Sequence, residues 1–172
     1  TGKTTVANIA AKTSRKALYR LNATNASVAD VKAIVKESEG LLGQNGVLLY
    51  LDEIQNFNKK QQQSLLEYTE NGKITLIAST TENPYFYVYN AILSRSTVFE
   101  FKPLTAEDIV MALRRALTIL QAEDFPHHTL RADEDALFHL SEKSGGDVRK
   151  ALNALELAVN YTPPDENGVI VL

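Results

Sequence analysis

The run GVLLYLDE at 46–53 constrains the fold more than any other stretch of this chain. A strand with one wet face alternates apolar and polar residues. An unbroken apolar run needs burial on both faces. Both faces of a sheet are covered when crossover helices connect parallel strands. The neighbouring sequence supplies such strands and helices. ALYRL at 17–21, KITLIAST at 73–80 and TVFEF at 97–101 read as further strands. Before the first of them, KTTVANIAAKT at 3–13 reads as a helix with Val6, Ile9 and Ala10 on one face. SVADVKAIVKESEGLLG follows, with Ser27 as N-cap, Val28, Val31, Ile34, Val35, Leu41 and Leu42 at helical spacing, and Gly43 and Gly46 framing its stop. NKKQQQSLLEYTENG opens on an Asn58…Gln61 capping box and ends at Gly72. Strands alternating with helices predict an α/β fold with a parallel sheet.

At Pro103 the texture changes. TAEDIVMALRRALTIL, DEDALFHLSEKSG and GDVRKALNALELAVNY read as three consecutive amphipathic helices with no strand between them. Thr105 caps the first and Asp147 the third, where Val148, Leu152, Leu155 and Val159 form a stripe. The expected organisation is an α/β core over 1–102, a small all-helical domain over 103–162, and the start of a connection over 163–172.

Composition narrows the chemistry. Cysteine is absent, which excludes disulfides, thiolate metal sites and a cysteine nucleophile and fits a cytoplasmic setting. No apolar run reaches bilayer-spanning length, so no membrane partner is expected. Net charge is −3, so a nucleic-acid partner would need a local basic patch. Lys59, Lys60 and Lys73 are candidates for it, with solvated surface lysines as the alternative.

Four runs carry possible chemistry. TGKTT at 1–5 matches the second half of G-x-x-x-x-G-K-[ST], whose first glycine would precede Thr1. In a strand–loop–helix setting, the amides around Gly2, Lys3, Thr4 and Thr5 would surround phosphate oxygens. Lys3 would add a point charge, and the Thr4 hydroxyl would ligate magnesium. An exposed helix start is the alternative. Asp52 and Glu53 sit where the buried strand emerges, the ligand-binding edge of a doubly wound sheet. Asp52 there can hold magnesium, and Glu53 can deprotonate a water. Two surface carboxylates opening a loop are the alternative, less favoured beside a GKT run. IASTTENP places Thr80 and Thr81 after the next strand, to bind water or phosphate or else to cap the helix before Pro84. Arg95 in ILSRS and Arg149 in GDVRKAL suit phosphate geometry, or are surface ion-pair arginines. His127 and His128 read as a loop, and Tyr85, Tyr87 and Tyr89 as core or interface packing, with base stacking as the alternative.

GKTT, a hydrophobic strand ending in DE, STTENP, LSR and a helical domain with GDVR occur in that order. The chain thereby resembles the AAA+ ATPases along nearly its whole length. The stretch from LDEIQNF through TTENP to ILSRS is similar to the replication-associated recombination protein A family, which includes Werner-helicase-interacting relatives. The resemblance implies ATP and Mg2+ as ligands. It implies Lys3 and Thr4 as Walker A residues, Asp52 and Glu53 as Walker B acids, and Thr81, or Thr80, as first sensor. Arg95 would be the arginine finger acting on a neighbouring subunit, and Arg149 the second sensor in a helical lid. It also implies a DNA-stimulated ATPase at stalled or damaged forks, tetrameric when intact. Its partners would be single-stranded or fork-like DNA and replication proteins, and its location the nucleoid. A clamp loader, a Holliday-junction motor and a nucleotide-gated adaptor are the neighbouring alternatives. The chain departs from the family at Gln55-Asn56, where His-Arg is usual. Because the loop pattern is cut at Thr1, this stretch alone is expected to be inactive and to hold no ordered nucleotide.

Overall fold

The computed structural model describes residues 2–38 and 46–172. The helical positions Leu41 and Leu42 and the expected stop at Gly43 lie outside them. The chain divides into two compact units, Gly2–Glu100 and Phe101–Leu172.

The first unit is a three-layer α/β sandwich. Strands β1 (Ala17–Asn22), β2 (Val47–Asp52) and β3 (Ile74–Ala78) form a parallel sheet in the order β1-β2-β3. Ala17 pairs with Val47, and Val47 with Ile74, so the strands start flush. The apolar run behaves as its composition demands: Val47 to Leu51 are each at most 3% exposed. Alternation then sends Val47, Leu49 and Leu51 to one face, into a core with Val31, Val35, Ile54, Phe57 and Leu65. Helices α2 (Val28–Ser38) and α3 (Lys59–Glu70) supply that core. Full burial of each such leucine contributes roughly 1.5–3 kcal/mol. Leu48, Tyr50 and Asp52 take the opposite face, where α1 (Lys3–Ser14) packs.

The helix boundaries follow local chemistry. Asn58 and Gln61 form the expected reciprocal capping box of α3, and Gly72 leaves it at φ +69°. At α2 the Ser27 hydroxyl and amide both donate to Asp30, which pulls the Asp30 carboxyl below its ordinary pKa.

Two expectations for this unit need correction. Helix α1 buries Ala7 and Ala11, while Val6 and Ile9 are exposed. The small alanine face lets the helix lie close on the sheet, and that outweighs the larger but differently placed apolar residues. The expected strand at 97–101 does not form: these residues carry no regular structure, no described strand borders them, and Phe99 is 77% exposed. A strand forms only against a neighbour, whatever the propensity of Val98 and Phe99. Short helices α4 (Pro84–Tyr87) and α5 (Asn90–Leu93) precede it.

The second unit contains the three expected helices, α6 (Ala106–Glu123), α7 (Glu134–Lys143) and α8 (Val148–Tyr161). Thr105 makes a capping box with Asp108, and the Asp147 carboxylate accepts from the Arg149 amide. Their core gathers Ile109, Leu113, Leu137, Ala151, Leu155 and Val159. The expectation of a purely helical segment followed by a linker is corrected here. Strand β4 (Thr129–Arg131) lies between α6 and α7, and β5 (Val169–Val171) pairs with it in parallel. Ile170 is buried, and Asp133 N donates to Leu172 O at 2.9 Å, so 163–172 folds back onto this unit.

Candidate nucleotide site

The site forms where β2 and β3 end and α1 begins. Gly2 takes φ +96° as the N-cap of α1, and no acid sits in the helix's first turn. The first amides of a helix lack intrahelical acceptors, so Lys3, Thr4 and Thr5 open a region suited to an anion. Lys3 Nζ donates to the Thr80 carbonyl at 2.7 Å, which spans α1 and the segment after β3. One of its three donors is thereby used.

Beside it four oxygens converge. Thr4 Oγ1 lies 3.2 Å from the Tyr50 hydroxyl, which also contacts Asp52 Oδ1 at 3.2 Å and Ser79 Oγ at 3.0 Å. Ser79 Oγ donates to the same Asp52 oxygen. Period-two alternation on β2 puts Tyr50 and Asp52 on one face, and α1 brings Thr4 over it. This donor set is all oxygen, with one carboxylate, which suits Mg2+ rather than a soft metal.

Glu53 follows in a left-handed conformation, φ +54°, ψ +47°. A non-glycine residue there costs about 1–2 kcal/mol, and the surroundings hold it. Ile54 N donates to Ser79 O at 3.0 Å, locking the next residue to the end of β3. The turn aims the Glu53 carboxylate at Thr81, whose hydroxyl donates to it at 3.0 Å. Gln55 Nε2 donates to the same carboxylate oxygen, and its own Oε1 is buried without a partner.

Of the residues expected from sequence, Lys3, Thr4, Asp52, Glu53, Thr80 and Thr81 are therefore brought together. Gly2 and Thr5 flank them on α1. Thr80 contributes its carbonyl, while its hydroxyl accepts from the Glu82 amide. The helix-capping role falls to Asn83, which accepts from Tyr85 N. Arg95 lies after α5, held by Glu70 at 2.7 Å and donating to Ala91 O at 3.1 Å. Arg149 lies in the second unit, exposed in the first turn of α8. Lys59 and Lys60 begin α3 and Lys73 lies beyond its far end, so these candidates form no single patch. Lys59 Nζ rests 5.3 Å from the Tyr89 ring. His127 and His128 occupy a turn.

Sequence reasoning did not single out Tyr50, Ser79 or Gln55 as members of this network. A signal existed for the first: Tyr50 is the one hydroxyl-bearing residue inside the apolar run, two positions before Asp52. Ser79 heads the hydroxyl run that directed attention to Thr80 and Thr81.

Residues 1–104 match the family described as ATPase family associated with various cellular activities (AAA). The chain belongs to the AAA family of ATPases. Within reach of this AAA chain is the replication-associated recombination protein A of Bacillus subtilis, 41% identical over 169 residues, covering 98% of this chain and 39% of that protein. The Escherichia coli K12 protein of the same name is 33% identical over 173 residues, covering 100% and 38%. An ATPase WRNIP1 from Dictyostelium discoideum is 39% identical over 167 residues, covering 96% and 19%. The AAA chain thus spans about two fifths or less of these relatives. Among solved structures, the Thermotoga maritima RuvB Holliday junction branch migration motor matches with a TM-score of 0.73 at 21% identity, over 92% of this chain and 50% of that one. That likeness carries the α/β AAA+ fold and nothing finer.

Proposed function

We propose that this chain is the nucleotide-hydrolysing part of a DNA-stimulated ATPase acting in replication and recombination at stalled or damaged forks. The observation that carries the hydrolytic reading is the convergence of Thr4, Tyr50, Asp52 and Ser79 beside the α1 N-terminus, with Glu53 held next to them by Thr81. The names of the replication-associated recombination proteins it resembles support the DNA reading.

In this reading Lys3 exchanges the Thr80 carbonyl for the terminal phosphates of ATP, assisted by the amides of Gly2 to Thr5. Thr4 and Asp52 hold Mg2+, with Tyr50 and Ser79 fixing their oxygens. When bound, the ion neutralises charge building on the phosphates. Glu53 takes a proton from the attacking water, and Thr81 keeps that carboxylate and water aligned. Arg95, supplied to a neighbouring subunit, stabilises charge in the transition state. Arg149 couples the second unit to the terminal phosphate. The intact protein would be a homo-oligomer, a tetramer by its family resemblance. It would engage single-stranded or fork-like DNA and replication proteins at the nucleoid.

A second reading has one observation in its favour. Glu53 is already satisfied by Thr81 and Gln55, which suits a nucleotide-gated adaptor with little turnover. Steady-state ATP hydrolysis by the full-length protein, with and without single-stranded DNA, separates the two. The proposal expects turnover that DNA raises. Absent turnover in both conditions favours the adaptor.

A further inference from the structure

The first acidic residue of the chain is Asp30, yet Lys3, Lys12, Arg15, Lys16 and Arg20 precede it. Residues 1–29 of this chain of net charge −3 thus carry five cations and no acid. The fold concentrates this charge. Lys12, Arg15, Lys16 and Arg20 line one open groove of about 500 Å³ between the end of α1 and edge strand β1, together with Asn8 and Leu18.

None of the four cations sits in an ion pair among the described residues. Arg20 donates to the Asn8 side-chain oxygen Oδ1, and Lys16 to Thr75 Oγ1 at 2.5 Å, both neutral acceptors. The ion pairs Arg95–Glu70 and Arg114–Glu134 lie elsewhere. Two structural roles account for part of the cluster. A cation in the last turn of α1 offsets the helix dipole, and a charged residue on β1 discourages edge-to-edge pairing. Neither role requires four cations around one concavity, where they repel one another until an anion arrives.

We propose that this groove is a docking surface for the phosphate backbone of duplex DNA. No aromatic residue lines it, so it offers no platform for unstacked bases. Lys and Arg contacts to phosphate need none and are independent of base sequence. The groove faces the α1 side of the sheet, whereas Lys59 and Lys60 lie on α3, which packs on the other face. It thus assigns duplex contacts to a surface distinct from those lysines. The inference rests on the DNA reading proposed above.

The test is fluorescence anisotropy of the full-length protein on a labelled duplex, followed across a salt titration. The variant Lys12→Gln/Arg15→Gly/Lys16→Gln removes three charges, and glycine suits the left-handed backbone at residue 15 (φ +56°). Its log–log salt slope should fall by about 0.9 per lost phosphate contact, so by up to about 2.7, with ATP hydrolysis in the absence of DNA unchanged. Lys12→Glu alone, at an exposed helical position, should weaken duplex binding in the same direction even if the triple variant folds poorly. Wild-type slope and affinity in both variants overturn the groove assignment and leave the DNA reading standing. Failure of the wild-type protein to bind the duplex overturns the groove assignment, and failure to bind a labelled single strand as well overturns both. Displacement of the duplex by polyglutamate or anionic vesicles at equal phosphate or carboxylate concentration overturns it in favour of an acidic protein or lipid surface.

Discussion

Tyr50 shows how a residue chosen for burial can also organise a polar site. Its ring completes the apolar run of β2, and its hydroxyl meets Thr4, Asp52 and Ser79. Tyr50→Phe keeps the ring and removes the hydroxyl, so the fold should persist with a loss of about 1 kcal/mol. In the full-length protein the apparent Mg2+ affinity of nucleotide binding should weaken roughly 10-fold, as outer-shell substitutions typically do. Nucleotide binding without Mg2+ should be unchanged. Titration of Mg2+ against a fluorescent nucleotide reads both, and an unaltered Mg2+ dependence would remove Tyr50 from the metal-site network. At this scale the convergence of Lys3, Thr4, Asp52 and Glu53 is legible, because their residue types and spacing match a phosphate-loop and strand-end pattern. Tyr50 was not, because hydropathy weighs its ring and ignores its hydroxyl. The left-handed turn at Glu53 was also invisible, since no glycine or asparagine marks it.

Elements were legible where length let periodicity speak. α3, α6 and α8 follow their patterns and caps, and β2 is buried on both faces as its unbroken run requires. The failures have separate causes. α1 rests on alanines, which a search for large apolar residues passes over. Residues 97–101 have strand composition but no described strand beside them. β4 and β5 are three residues each, too short for alternation to register. Packing between elements also fixes a backbone requirement. Gly146 has φ +82°, and a Cβ there would lie 2.5 Å from Pro103 Cβ and 3.2 Å from Leu104 O. Gly145 has φ +62° with nothing within 4 Å of a Cβ. Gly145→Ala should therefore cost only its backbone strain, about 1–2 kcal/mol. Gly146→Ala should cost clearly more, because a proline ring carbon and a backbone oxygen cannot swing aside. Denaturant unfolding of the two variants compares them, and equal losses would contradict this packing account.

The whole chain joins two units with separate cores, one built on Leu49, Leu51 and Leu65, the other on Leu113, Leu137 and Leu155. The division falls after Glu100, and at Pro103 alternating strand and helix patterns in the sequence give way to consecutive helices. The first unit carries Lys3 and Thr4 at the start of α1, Asp52 at the end of β2 and Glu53 just after it. The second carries Arg149 on α8. The central claim is that Glu53, turned toward Thr81, is the base of an ATP-hydrolysing site formed with Lys3, Thr4 and Asp52. Glu53→Gln keeps the side-chain shape and removes the base. In the full-length protein, single-turnover hydrolysis of bound ATP by this variant measures the claim directly. The account predicts that ATP is still retained while its hydrolysis slows by roughly 10²-fold or more. Hydrolysis at the wild-type rate would contradict it.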